Sequence, residues 1–104
     1  MEIIRGNYGY DISLTIRDAD QNVVDLTGVT KVLLNIANLE NNRNVLSAEC
    51  LEDDFANGKV KYTVLSDDIL FKEGLYQGAL QLQYVGKVVD TKRFHVTVKE
   101  KISL

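Results

Sequence analysis

Apolar and polar residues alternate along most of this chain, and that alternation restricts its fold more than any other feature. Residues 8–17 show it clearly, because Tyr8, Tyr10, Ile12, Leu14 and Ile16 fall on one face and polar residues or glycine on the other. Successive side chains of a β-strand point to opposite faces, so this segment is predicted to be a strand with one buried face. Proline is missing and β-branched residues recur, which also favours sheets over helices.

The same pattern predicts about seven or eight short strands, separated by turn signals at a spacing typical of a β-sandwich. The predicted strands cover residues 2–4, 8–17, 23–26, 31–37, 45–51, 59–65, 75–84 and 88–98. Residues 66–74 are expected to form a brief helical turn or none. We therefore predict a single all-β domain over residues 1–104, an antiparallel immunoglobulin-like β-sandwich, with residues 99–104 as a tail or the start of a linker.

The stretch 23–36 joins a short apolar run to a long one through the turn Asp25, Leu26, Thr27 and Gly28. The long run is expected to be a central strand. We predict that the turn sets the passage of the chain between neighbouring strands, with a positive φ at Gly28.

Tyr76 opens a late strand directly after an acidic loop, as the tyrosine corner of immunoglobulin-like domains does. The alternative, a buried tyrosine that merely follows a turn, stays open from the sequence. An antibody-type domain would place cysteine two residues later, where this chain has Gly78, and the chain has no tryptophan. The resemblance is therefore one of architecture.

Charge and composition exclude several classes of function. The chain of 104 residues has a formal net charge of -3, and its basic residues are scattered. A nucleic-acid-binding protein concentrates positive charge on one face, so nucleic-acid binding is not predicted. No apolar run approaches the ~18 residues of a membrane span. The only cysteine is Cys50, so no intrachain disulfide can form, as expected for a protein made in a reducing cytosol.

We find no residue pattern for catalysis or for a cofactor. His95 is the only histidine and is expected to face solvent, while Cys50 falls on a core-facing row, so a triad is not predicted. One histidine and one cysteine do not make a zinc site. Asp18, Asp20 and Asn22 match three positions of a calcium loop, but its glycine and bidentate glutamate are missing, so a hairpin turn is favoured.

Two surface features remain. Glu49, Glu52, Asp53 and Asp54 form an acidic patch, for which solvated loop charge is the default interpretation and a basic partner or weakly bound ion the alternative. The candidate interface consists of apolar residues on strand faces predicted to point outward: Leu33, Leu65, Leu75 and Val89. Such residues and open edge strands would suit self-association or partner binding. The tyrosines alternate with aliphatic residues and are expected in the core rather than on a sugar-stacking surface.

The order of the motifs resembles the N-terminal domain of the phage baseplate upper protein family, which occurs on tails of phages of Gram-positive bacteria and in prophages. Asp-Leu-Thr-Gly at residues 25–28 is its best marker. The other matching elements cover nearly the whole chain: Arg5-Gly6-Asn7, the strand 8–17, the turn 18–22, the strand 32–36, Gly58-Lys59-Val60-Lys61-Tyr62, Gly74-Leu75-Tyr76 and the strand 94–98.

The resemblance implies a non-enzymatic, immunoglobulin-like virion module that helps to attach receptor-binding proteins to the tail. It would bind other tail or baseplate proteins as one copy in a homo-oligomeric assembly, without nucleic acid, membrane, metal or cofactor, and would be assembled in the cytoplasm of the bacterial host. Family members usually continue into a helical stalk, so the chain is expected to be a stand-alone relative or an excised N-terminal domain. The alternative function is a carbohydrate-binding or adhesion module of the same architecture.

Overall fold

The computed structural model describes residues 1–65 and 72–100, which form an immunoglobulin-like β-sandwich. Eight strands occur in the described part, with one 3₁₀ turn at Phe55–Asn57. The strands are β1 Glu2–Ile4, β2 Asp11–Thr15, β3 Val29–Asn38, β4 Asn44–Asp54, β5 Lys59–Thr63, β6 Gly74–Tyr84, β7 Lys87–Asp90 and β8 Phe94–Lys99.

The strands follow one another in the order β1-β8-β6-β3-β4-β5-β2, and β7 pairs with β6 beside β8. β4 belongs to both layers of the sandwich, because residues 44–50 pair with β3 while residues 51–54 pair with β5. The first layer contains β1, β8, β7, β6 and β3, and the second contains β5 and β2. The predicted all-β sandwich of seven or eight strands is therefore confirmed.

The pairing is antiparallel throughout the described strands except at one edge. There β1 runs parallel to β8, with Ile3 opposite Val98, so the predicted purely antiparallel arrangement is wrong at this point. The pairing is held at its start by the Met1 ammonium, which donates to the His95 carbonyl over 3.1 Å. Alternation alone predicted this strand but contained no information on its direction relative to its partner.

The core lies between the two layers and is formed by the inward faces that alternation predicted. On β3 the side chains of Val32, Leu34 and Ile36 are buried, and this strand is central, with β6 on one side and β4 on the other. The other buried hydrophobic residues of the described chain are Ile3, Ile16, Leu26, Val29, Leu46, Cys50, Val60, Tyr62, Val64, Tyr76, Leu80, Leu82, Val96 and Val98. Fully burying a valine, leucine or isoleucine side chain stabilises the folded state by about 1.5–3 kcal/mol relative to leaving it exposed.

β2 is shorter than the predicted strand 8–17, and Tyr8 does not lie in the core. Gly9 has a positive φ of 82°, which interrupts the alternation, and the Tyr8 side chain is 65% exposed. After β2, Asp18 closes a turn by accepting hydrogen bonds from the amides of Asp20 and Asn22. The predicted hairpin is reduced to one bridge between Arg17 and Val23, and no strand forms over residues 23–26.

The predicted strand 88–98 is divided into β7 and β8. Both pair with β6, but β7 places Val89 opposite Leu82, whereas β8 places Phe94 opposite Gly78. The register therefore shifts by one residue between the two strands. A shift of one residue exchanges the two faces of a strand, so Val89 points inward on β7 and the prediction that it points outward is wrong.

The tyrosine corner is confirmed. The Tyr76 hydroxyl donates a hydrogen bond of 2.7 Å to the Lys72 carbonyl, four residues upstream, and the side chain is buried. Two residues later, a Cβ at Gly78 would lie 2.6 Å from the Phe94 ring. Glycine thus occupies the position of the antibody cysteine because an aromatic ring covers it.

Part of two predictions lies outside the described residues. The expected helical turn or loop at 66–74 falls mostly on residues 66–71, and the expected tail 99–104 falls mostly on residues 101–104.

Candidate functional site

The sandwich is open along one side, between the outer edge of β2 and the edge formed by β7 and the start of β8. The opening is a groove of about 1040 Å³, slightly above the usual range for binding pockets. Met1 and the turn after β2, at Asp18 and Ala19, also contribute to its wall. We call this space the β2–β7 groove.

Apolar side chains line the interior of the β2–β7 groove. Ile12 and Leu14 project from β2 and are only half-buried, although their alternation places them on the core side of that strand. From the opposite layer the groove is lined by Leu80, Leu82, Tyr84, Val89 and Phe94. Apolar surface directed toward a core but not covered is typical of a surface that binds a partner.

One edge of β2 is free of strand partners in the described chain. On the other edge, the amide of Ile16 donates to Gly58 and the amide of Val64 donates to Tyr10. In an antiparallel pair, hydrogen bonding to one neighbour alternates along the strand. Residues 10, 12, 14 and 16 therefore direct their backbone groups toward β5. Those of Asp11, Ser13 and Thr15 point to the opposite edge, where Ser13 and Thr15 line the groove.

Basic side chains dominate the rim. Arg17, Lys87, Lys92 and Arg93 are exposed residues of the groove. The rim also contains the carboxylates of Glu2, Asp18 and Asp90, of which Glu2 is paired with Lys99 at 3.2 Å. Within residues 1–65 and 72–100 the salt bridges are this one and Arg5–Glu100, so none neutralises the four basic side chains. The rim is positive although the chain as a whole has a formal charge of -3.

The four residues of the candidate interface do not form one surface. Leu33 is opposite Gln81 of β6 and Glu49 of β4, on the outer face of the first layer, and is only half-exposed. Leu75 lies on the same outer face and is 64% exposed, whereas Val89 points into the β2–β7 groove and is 42% exposed. Leu65 follows β5 and is exposed. The structure therefore assigns Val89 alone to the groove.

A smaller cleft of about 640 Å³ lies beside the β3–β4 turn. Leu39 and Leu75 are exposed apolar residues on its wall. It is also lined by Glu40, Lys72 and Glu73, so it lacks the continuous apolar lining of the β2–β7 groove.

Asp25, Leu26, Thr27 and Gly28 form a compact turn that anchors the chain in the core. The Asp25 carboxylate accepts hydrogen bonds from the hydroxyl of Thr27 at 2.6 Å and from its amide at 2.9 Å, and these bonds lower the pKa of Asp25 below its usual value. Leu26 is fully buried and its amide donates to Phe55. Gly28 has a φ of 93°. This turn stabilises the fold rather than forming part of the groove.

The reactive side chains lie apart from one another. Cys50 is buried on β4, where burial is the main cause that raises its pKa to about 11 and the neighbouring Glu49 adds to the effect. His95 is exposed on β8. The described residues contain no group of three or more histidine, cysteine or acidic side chains suited to a metal ion. Asp18, the first residue of the weak calcium-loop match, accepts the two backbone hydrogen bonds of its own turn.

Sequence reasoning missed the β2–β7 groove because no local pattern encodes it. The alternation in β2 showed which side chains point inward, and Ile12 and Leu14 were predicted correctly to share a face. Whether a further strand covers that face depends on the order of strands in the second layer, which ends at β2. Among the described residues, no helix is long and apolar enough to cross a membrane.

Comparison with known proteins supports the fold. No family model matches this chain, and no curated protein sequence matches it. It is similar in structure to CopC from Methylosinus trichosporium OB3b, with a TM-score of 0.54 and 11% identity, over 99% of this chain and 88% of CopC. It is also similar to the endo-beta-1,4-mannanase from Thermotoga petrophila, with a TM-score of 0.54 and 14% identity, over 96% of this chain but only 17% of that enzyme. At these identities the likeness establishes an all-β sandwich and no more.

Proposed function

We propose that this protein is a non-enzymatic structural protein of a phage or prophage tail baseplate, a β-sandwich scaffold that attaches to other tail proteins. The observation that carries the proposal is the β2–β7 groove, where apolar side chains lie beside an edge of β2 that no other described strand pairs with. A surface of this kind suits a polypeptide partner, because it offers both apolar burial and strand pairing. The assignment to a tail rests on the motif order that resembles the baseplate upper protein family.

The placement of the reactive residues supports a role without catalysis. Nucleophilic catalysis needs a thiol or hydroxyl close to a base that accepts its proton. The Cys50 thiol is buried with a raised pKa, which disfavours the reactive thiolate. The exposed His95 belongs to β8, which is separated from β4 by β6 and β3.

A carbohydrate-binding or adhesion module is the second candidate, and the exposed Tyr8 favours it. An exposed aromatic ring can stack on a sugar, and Tyr8, at 65% exposure, is the most exposed aromatic residue in the described part of the chain. The likeness to a segment of a mannanase adds little, because it covers 17% of that enzyme at 14% identity.

Size-exclusion chromatography with light scattering, combined with binding to purified cell-wall glycan, distinguishes the two functions. A tail scaffold in a symmetric assembly should show mass that increases with protein concentration and no retention on glycan. A strict monomer that binds glycan, and loses binding in Tyr8→Ala, would contradict the scaffold. The matched control is Val85→Ala, at a 90% exposed position. Tyr10→Ala would not serve as a control, because Tyr10 packs against the core.

A further inference from the structure

We propose that the β2–β7 groove binds an extended segment of another tail protein, which adds to the second layer as a strand beside β2. The segment has apolar side chains at alternate positions and acidic residues at its flanks. This inference rests on the proposed function and names the partner by its chemistry.

The free edge of β2 determines the backbone conformation of the partner. Asp11, Ser13 and Thr15 direct their amides and carbonyls away from β5, and an extended chain running beside β2 would satisfy them by the ordinary ladder of hydrogen bonds. A helix satisfies its own backbone groups internally, so it would leave this edge unpaired. β2 spans five residues, which corresponds to roughly 17 Å of strand.

The lining of the groove determines the side chains of the partner. In a strand, every second side chain points to the same face. A segment in line with β2 would therefore direct alternate side chains between Ile12 and Leu14 on one wall and Leu82, Val89 and Phe94 on the other. Apolar residues at these alternate positions would complete the burial that Ile12 and Leu14 lack in the described structure.

The rim determines the charge of the partner. Arg17 follows the end of β2, while Lys87 opens β7 and Lys92 follows its end. These basic side chains therefore lie at the ends of the strands that line the groove, where acidic residues flanking the segment would meet opposite charge. Two-fold pairing of two β2 edges would bring two copies of the same basic rim together. A segment of a different polypeptide, with acidic flanks, therefore fits the groove better than a second copy.

The test uses ¹⁵N-labelled protein of the full 104 residues and three acetylated, amidated seven-residue peptides. The first is Glu-Val-Thr-Val-Thr-Val-Glu, the second replaces both glutamates by lysines, and the third carries N-methyl groups on alternate residues. The proposal predicts that only the first binds well and that its binding weakens as salt increases. Amide hydrogen exchange should slow at Asp11, Ser13 and Thr15 and stay unchanged at Ile12 and Leu14, whose amides already bond to β5.

Two variants keep the test independent of folding. Ser13→Pro removes an amide that points to the free edge, so it should preserve the fold and weaken the first peptide at least 10-fold, whereas Ser13→Ala should bind normally. Lys92→Glu should weaken the first peptide and strengthen the lysine peptide. Intact spectra of both variants exclude unfolding as the cause of any loss.

Three results would overturn the proposal. The first is the absence of any spectral change at 1 mM of the first peptide, and the second is equal binding by Ser13→Pro and Ser13→Ala. The third is slowed exchange at Asp11, Ser13 and Thr15 caused by self-association without peptide, which would make a second copy the occupant. These results are separable from failure of the proposed function. If the protein is found in tail particles but does not bind the peptide, it attaches through another surface. If it binds the peptide but is missing from tail particles, it belongs to a different assembly.

Discussion

Replacing Gly58 by alanine should destabilise the domain much more than replacing Gly28, although both residues have a positive φ. Gly28 has a φ of 93° with nothing within 4 Å of an added Cβ. At Gly58, where φ is 69°, an added Cβ would lie 2.7 Å from the Val24 carbonyl oxygen and 2.9 Å from that of Ile16. Both contacts are with backbone, so a side-chain rotation cannot relieve them.

The expected magnitudes follow from these two environments. A left-handed conformation costs an alanine about 1–2 kcal/mol, and the reduced freedom of the unfolded chain offsets about 0.4–1 kcal/mol of this cost. Gly28→Ala should therefore lower the free energy of unfolding by about 1 kcal/mol. At Gly58 the overpacking adds about 1–3 kcal/mol, so that Gly58→Ala should cost about 2–4 kcal/mol in total.

Urea unfolding followed by circular dichroism measures both values, with Gly86→Ala as a further control. Gly86 has a φ of 82° and nothing within 4 Å of an added Cβ, so it should behave like Gly28. The slope of the transition should be unchanged in all three variants. Equal destabilisation at Gly58 and Gly28 would refute the close approach of the Val24 and Ile16 carbonyl oxygens to Gly58. A Gly28→Ala variant as stable as the wild type would show that this turn is ordinary.

Three further predictions concern single side chains. Tyr76→Phe should lower the free energy of unfolding by about 0.5–1.5 kcal/mol, because it removes the hydrogen bond to Lys72; an unchanged urea midpoint would contradict the tyrosine corner. Cys50 should react with a thiol reagent at pH 8 at least ~100-fold more slowly in the folded than in the urea-unfolded protein, since burial raises its pKa to about 11; equal rates would contradict its burial. The folded state lowers the pKa of Asp25, so its contribution to stability is complete above the unfolded pKa and is lost as pH falls below about 4. The difference in unfolding free energy between wild type and Asp25→Asn should therefore shrink in acid, and a difference that is constant down to pH 2.5 would contradict this.

The sequence predicted the strands that are buried on one face, because burial of one face produces alternation directly. β3, β5 and β6 lie within two residues of their predicted bounds. β4 begins one residue before its predicted start and continues to Asp54, since its end pairs in the second layer and its exposed acidic residues carry no apolar signal. The tyrosine corner was also recognisable, because it needs only Tyr76 at the start of a strand after a loop.

Alternation could not predict features that depend on partners or on register. The one-residue shift between β7 and β8 exchanged the faces of Val88 and Val89, and nothing in a period of two residues marks such a shift. The positive φ of Gly9 interrupts the alternation, so the Tyr8 side chain does not share the core-facing side of β2. The β2–β7 groove exists because the second layer ends at β2, which is a property of the whole arrangement of strands.

The most direct test of the proposed role is whether the protein is a component of tail particles. Tails would be released from the bacterium that encodes the chain, purified on a density gradient and probed with an antibody raised against the 104 residues. We predict that the protein co-sediments with intact tails, in a fixed ratio to the other tail proteins. Recovery only at the top of the gradient, as free protein, would contradict the assignment to a tail baseplate.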